Sequence, residues 1–474
     1  MDDNLIRKTL DFYNPFWRNR SYLNDIPLLR RDVYDEVFQS VKDIKQIISI
    51  TGPRRVGKTT MLRQIIADLI EESNIDPLQI LYISMDDPYI YSNSSDSIFF
   101  DRLIEVYEKY ILREKIGEKK IYFLIDEIHK FKDWQLFLKK YYDRGINIKF
   151  VISGSVEQSI LGKSKESLAG RIKNFKIYTF SFYEYIFYKL SFDDKVDIAK
   201  KEILLKLIFK IHEFKLHIFS NPLVFFNELS EVLPDFIFYE DEVFTYFYEY
   251  LIIGGFIESW SMEGSDMQYE YLYQTQIEKV LLQDIYILED IKNTKTLATL
   301  FFKFSENFSS EYSLNSLVKD MGVHRDTIER YISLLKDSNL IFTLSKYGEN
   351  ANKISNIKIF LVDIGIRNSI LKIKEEEIIG NKVLFFKYIE NLSMLSLIRY
   401  SSALSINYYR ERDKEINFIL NYSSKKIAIN ISERKKNVFE KFKFDYIFNL
   451  LDTTEIYKDE NVISIPYILF LLVL

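Results

Sequence analysis

The run Gly52-Pro53-Arg54-Arg55-Val56-Gly57-Lys58-Thr59-Thr60 constrains the fold of this chain more than any other stretch. Two glycines separated by four residues, followed by lysine and a hydroxyl residue, make the phosphate-loop pattern. Its context is the one the pattern requires: the apolar run Ile47 to Ile50 predicts a strand before it, and Met61, Leu62, Ile65, Ile66 and Leu69 predict a helix after it. Glycine lets the backbone curl until its N–H groups face the β- and γ-phosphates of a nucleotide, and the positive end of the following helix adds to the attraction. Lys58 brings a point charge to the phosphates and Thr59 an oxygen ligand for Mg²⁺. Residues 52–60 are therefore the candidate binding segment for ATP with Mg²⁺.

A second run, Ile121 to Ile125, predicts a strand that delivers Asp126 and Glu127 at its end. Ligands of open parallel sheets gather at the carboxyl ends of the strands, so these acids are placed to meet the phosphates. Asp126 is expected to hold the Mg²⁺ shell, mostly through water, and Glu127 to orient and deprotonate the attacking water. An acid pair in this position is otherwise a plain helix cap. One further strand, Ile80 to Met85, ending in Asp86-Asp87-Pro88, and a helix from about residue 98 to 112 lie between the two motifs. A fourth strand, Lys149 to Ile152, leads into Ser153-Gly154-Ser155. Ser153 or Ser155 is expected to hydrogen-bond the γ-phosphate or the water, a simple turn being the alternative. Arg171, after Leu168-Ala169-Gly170, is a candidate for phosphate contact in its own chain or a neighbour's, against the plainer reading of a surface salt bridge.

With 474 residues the chain divides into three or four domains on the usual sizes. Hydrophobic residues make up 47%, and 38 Phe with 34 Tyr supply large packed interiors. The net charge of −5 predicts no global attraction to nucleic acid or anionic lipid, so any such partner is met locally. Cysteine is absent, which excludes disulfides, thiolate metal sites and cysteine nucleophiles. The start Met1-Asp2-Asp3-Asn4 lacks a signal-peptide pattern, and the apolar end, Ile468 to Leu474, is far shorter than the roughly 20 residues of a membrane span. A cytoplasmic protein without a membrane segment is the expectation, with the apolar end a buried strand or helix. Residues 1–45 read as an N-terminal arm carrying Trp17, Arg18, Arg20, Arg30 and Arg31, which either covers the nucleotide base, meets another subunit, or packs on the flank of the next domain.

Taken together, the phosphate loop, Leu124-Ile125-Asp126-Glu127-Ile128-His129, Ser153-Gly154-Ser155, Leu168-Ala169-Gly170-Arg171 and Ser181-Phe182-Tyr183-Glu184-Tyr185 resemble a family of archaeal and bacterial ATPases of the AAA+ superfamily. Leu251-Ile252-Ile253-Gly254-Gly255-Phe256 is similar to that family's signature beyond the ATPase core. The resemblance implies an α/β P-loop core at 46–180, with one strand inserted between the phosphate-loop strand and the acid strand. It also implies Mg²⁺-dependent ATP hydrolysis and an arginine shared between subunits of a homo-oligomer.

Beyond the core, 181–310 reads as a helical lid, and His212 and His217 there as packed or surface residues rather than ligands. Residues 311–375 carry a helix-turn-helix pattern of the winged-helix kind, with Leu314, Leu317 and Val318, a turn at Gly322, then Ile328, Tyr331, Ile332 and Leu335. Between 311 and 350 there are five basic and six acidic residues, a net of −1, so DNA contact there depends on Arg325 and Arg330, the alternative being internal packing or partner docking. Residues 376–474 resemble a restriction-endonuclease (PD-(D/E)xK) core, with Glu390 on a helix and Glu415 on a hairpin. Asn417, Asn430 and Ser432 stand where that pattern has aspartate, an acid and lysine, so cutting is not expected. The function expected is an ATPase acting on nucleic acid or a protein partner. The alternative is a nucleotide-gated switch or scaffold with little turnover.

Overall fold

The predicted strand at 47–50 forms as β1 (Ile47–Thr51), all five residues buried. The computed structural model describes residues 2–93, 97–155, 168–192, 196–285, 294–349, 355–400, 404–412, 414–433 and 442–474. Its contacts divide the chain into two units, Met1–Tyr178 and Thr179–Leu474.

In the first unit β1 joins β2 (Ile80–Ser84), β3 (Ile121–Asp126), β4 (Ile148–Gly154) and β5 (Ile172–Lys176) in one parallel sheet of order β2-β3-β4-β1-β5. Strands β1, β2 and β3 are buried along their whole length. That is why they read as near-continuous apolar runs rather than as alternation. β4 lies between β1 and β3, which is the insertion the resemblance implies. Aromatic rings fill much of the core: Phe100 stacks on Phe131 at 4.0 Å and tilts against Phe137 at 5.0 Å.

The N-terminal arm solves the problem of the exposed strand edge. After the helix Asp3–Tyr13, the side chain of Asn14 donates to the Tyr82 carbonyl at 2.9 Å and accepts from its N–H at 2.7 Å. The Trp17 indole donates to the Ile80 carbonyl at 2.8 Å. Side chains thus take the place of a further strand along β2.

The second unit begins with helices Phe182–Phe192, Ile198–Glu213, Pro222–Phe238 and Glu240–Ile253. His212 stacks on Tyr183 at 3.5 Å between ring centres, a packed residue. The signature around Gly254 ends the last of these helices, and the Gly255 N–H donates to Asp363 at 2.8 Å. A three-stranded antiparallel sheet follows, β6 (Ser310–Ser313), β7 (Ile341–Ser345) and β8 (Asn356–Leu361), in the order β6-β8-β7. Two helices, Leu314–Met321 and Arg325–Asp337, stand between β6 and β7, and Gly322 ends the first in the left-handed conformation. Helix Lys382–Tyr400 then leads to a six-stranded mixed sheet. It comprises β9 (Ser405–Glu411), β10 (Lys414–Tyr422), β11 (Lys425–Ser432), β12 (Tyr446–Leu451), β13 (Tyr457–Asp459) and β14 (Val462–Pro466). The apolar end is a buried helix, Tyr467–Val473. Among the described residues, no helix is long and apolar enough to cross a membrane.

Candidate nucleotide site

The loop after β1 is shaped by what glycine alone permits. Gly52 has φ 152°, and a Cβ built there would lie 2.1 Å from the Ile177 carbonyl oxygen. Gly57, at φ 93°, turns the chain into the helix Lys58–Glu71. The arm braces the loop from outside: the buried Arg31 guanidinium donates to the Val56 carbonyl at 2.8 Å and to that of Tyr178 at 3.0 Å. Lys58 is buried, and its ammonium donates to the carbonyls of Gly52 (3.1 Å) and Pro53 (2.7 Å). Burial lowers the pKa of this amine, while the nearby Glu127 and Asp126 carboxylates oppose the shift.

Asp126 ends β3 and is 3% exposed. The Thr59 hydroxyl donates to its Oδ2 at 2.6 Å, the Tyr82 hydroxyl reaches the same oxygen at 3.3 Å, and the Ser153 hydroxyl donates to Oδ1. Glu127 follows with φ 53°, a left-handed conformation that a non-glycine residue adopts at a cost. Its N–H donates to Ser153 Oγ at 3.1 Å, and Ser155 Oγ lies 3.5 Å from Glu127 Oε2. Burial pushes the Glu127 pKa up, Lys58 pulls it down and Asp126 adds to the rise. His129 Nδ1 is 3.2 Å from Glu127 Oε2 but lacks hydrogen-bonding geometry. Burial, together with Lys130, Lys58 and Arg54, lowers its pKa to about 4, so the ring is neutral.

Lys58, Thr59, Asp126, Glu127 and Ser153 are thus gathered at the carboxyl ends of β1, β3 and β4. The hydroxyl of Thr59 and the carboxylate of Asp126 are hard oxygen donors in contact with each other, a set that fits Mg²⁺. Ser153 is engaged with both acidic residues, accepting from the Glu127 N–H and donating to the Asp126 carboxylate. Arg171 is not brought to this site. The Ile47 N–H donates to its carbonyl at 2.8 Å, which puts Arg171 level with the start of β1. Five residues of strand at about 3.3 Å each separate that level from the phosphate loop. Its guanidinium grips Asp143 instead, at 2.7 and 3.2 Å. Arg31 is marked in the sequence only as one of the basic residues of the arm. His129 stands within the acid-strand motif, whereas nothing local marks Tyr82.

In the second unit Glu390 and Glu415 come together, but around a lysine. Lys358, 2% exposed on β8, donates to Glu390 and, at 2.6 Å, to Glu415. Burial alone would lower the lysine pKa, and the two carboxylates outweigh it and raise it. Asn417 accepts from the Ile431 N–H at 2.9 Å, and Asn430 donates to Asn449 at 3.1 Å, which in turn donates to Ser464 at 3.3 Å. Asn417, Asn430 and Asn449 are thus used in internal cross-strand hydrogen bonds. Among the described residues, no group of three or more His, Cys, Asp or Glu is placed to hold a metal.

Residues 44–186 match the sequence model of a family described as AAA domain, and residues 245–377 match a domain of unknown function (DUF8612). The chain is 24% identical over 416 residues to an uncharacterised protein of Haemophilus influenzae, covering 85% of this chain and 87% of that one. It is also 24% identical over 314 residues to an uncharacterised protein of Methanocaldococcus jannaschii, covering 66% of this chain and 59% of that relative. A solved structure of the Aeropyrum pernix ORC1 protein in complex with DNA superposes at a TM-score of 0.29 with 12% identity, over 75% of this chain and 96% of that one. Residues 44–186 thus combine a match to the AAA domain model with a five-stranded parallel sheet and a phosphate loop, which fits an α/β P-loop core.

Proposed function

We propose that the first unit binds ATP with Mg²⁺ and hydrolyses it. The observation that carries this is the direct contact of Thr59 with Asp126 beside the phosphate loop, because it joins the two motifs in one place. The loop N–H groups and the Lys58 ammonium would bind the β- and γ-phosphates, the lysine exchanging its two carbonyl partners for phosphate oxygens. Thr59 and Asp126 would hold Mg²⁺, which supplies positive charge against the triphosphate when bound. Glu127 would accept a proton from the attacking water, and its raised pKa brings it nearer the working pH that a base needs. Ser153 would hold both acids in place.

In the same reading Arg171 acts on the nucleotide of a neighbouring copy in a homo-oligomer. Residues 311–375 serve as a winged-helix module and 376–474 as a nuclease-like domain that does not cut. Two helices joined at Gly322 support the first, and the Lys358 ion pairs with Glu390 and Glu415 support the second. The energy of hydrolysis would move these modules against DNA or a protein partner in the cytoplasm.

The test is a nucleotide-binding and turnover assay on the full chain. Lys58→Ala should weaken ATP binding sharply, and Glu127→Gln should bind ATP while losing turnover. Native turnover in the glutamine variant would remove Glu127 from the role of base. Stoichiometric retention of ADP without turnover by the native chain would mark a nucleotide-gated switch instead. Turnover that rises on adding duplex or single-stranded DNA would favour nucleic acid as the target.

A further inference from the structure

A cavity of about 520 Å³ opens between the N-terminal arm and the helix that follows the phosphate loop. Its walls include the rings of Phe12, Tyr13, Phe16 and Tyr82, and its polar lining includes Arg63 and Asp25. This volume falls within the range of sites that take small organic ligands, about 300–1,000 Å³, which are largely apolar with a few placed polar groups.

The cavity exists because the arm is pinned at both ends. Asn14 and Trp17 fix its first part to β2, and the Gln64 amide donates to the carbonyls of Pro27 (2.7 Å) and Leu29 (2.8 Å) at the other. The chain between cannot collapse onto the helix without breaking these bonds. Two aromatic residues that line it remain open to solvent, Phe12 at 75% and Tyr22 at 53% exposure. Rings left this exposed beside a cavity are faces on which a planar ligand can stack.

Charge narrows the class. Arg63 is exposed and makes no ion pair among the described residues, and the same is true of Asp25. The Arg63 charge is felt inside the pocket, where it opposes the rise that burial and Asp126 impose on the Tyr82 hydroxyl. A planar guanidinium binds a carboxylate, sulfonate or phosphate through paired hydrogen bonds and also stacks on rings.

We infer that this pocket is a binding site for a small planar aromatic ligand bearing one acidic group, with the ring against the aromatic walls and the acid on Arg63. Of the phosphate-loop segment only Thr60 lines it, and Lys58 and Glu127 do not. The pocket is nevertheless close to that loop. Thr60 lines the pocket next to Thr59, and Tyr82 presents its ring to the cavity and its hydroxyl to Asp126 at 3.3 Å.

The test uses anilinonaphthalene sulfonate, an aromatic anion whose fluorescence rises on binding, titrated into the full folded chain. Arg63→Glu should weaken the saturable binding about tenfold or more, the loss of one charge-assisted contact. Asp25→Lys should tighten it, and Lys58→Ala should leave it unchanged. Both charge reversals are at exposed side chains, so the packing of the unit is retained. If Arg63→Glu and Asp25→Lys bind the probe as the native chain does, the pocket does not take this ligand class. Displacement of the probe by ATP with Mg²⁺, or its loss in Lys58→Ala, would assign the signal to the nucleotide site and overturn a separate one. Failure of ATP to bind at all would leave these arms readable, because none depends on turnover.

Discussion

The Thr59 hydroxyl lies 2.6 Å from Asp126 Oδ2, joining two segments 67 residues apart in the chain. A carboxylate here attracts a divalent cation, and an amide of the same shape attracts it far less. Asp126→Asn should therefore raise the Mg²⁺ concentration needed for half-maximal ATP binding by about tenfold or more. Calorimetric titration of ATP at a series of Mg²⁺ concentrations measures it. An unchanged Mg²⁺ dependence would show that Asp126 has no part in the metal site.

Two glycines of one loop should respond differently to the same substitution. At Gly52 an added methyl would meet the Ile177 carbonyl at 2.1 Å, a clash with backbone that has no easy relief. Gly52→Ala should cost about 3 kcal/mol or more of stability. At Gly57 the methyl meets nothing within 4 Å, so only the strain of its positive φ remains, about 1–2 kcal/mol. Urea denaturation of the two variants compares them, and equal midpoints would contradict the close approach of the loop to Ile177.

The buried Lys358 should be needed to neutralise Glu390 and Glu415. Lys358→Met leaves two carboxylates facing each other without a counter-charge, a loss of about 3–5 kcal/mol by analogy with broken buried pairs. Adding Glu390→Gln should restore part of it, since one charge is then removed. A single variant within about 1 kcal/mol of native would show that the pairs contribute little.

His129 should make the first unit sensitive to acid. Its folded pKa of about 4 lies below the usual imidazole value near 6.5 that the unfolded chain has. Above pH 6.5 both states are neutral at this ring and it has no effect. Below that the unfolded chain binds a proton that the folded one does not, so stability falls as pH falls, by about 3 kcal/mol in total near pH 4. His129→Gln should lose this part of the slope in denaturation midpoints taken from about pH 7 to about pH 4. A slope identical to native would place the acid sensitivity elsewhere.

The core of the first unit was legible because its signals are local. An apolar run, a glycine turn and a helical period in succession specify strand, loop and helix without reference to the rest of the chain, and Asp126 is marked by its place at the end of such a run. The sequence leaves the arm a choice among three roles, because its partners are backbone groups of β2 that no side-chain pattern announces. Lys358 carried a faint signal, a lysine within the otherwise apolar run Ile357 to Leu361, which a period-two reading could have flagged as buried.

By itself the sequence determined the phosphate loop, the acid pair and the order of strands and helices around them, since each depends on residues near one another in the chain. Tertiary structure alone decided that Arg171 faces Asp143 at the far end of the sheet, that Ser153 ties the two acids together, and that Lys358 fills the gap between Glu390 and Glu415. Those outcomes depend on strand register and on which charges burial brings within contact. Neither is set by the neighbours of a residue in sequence.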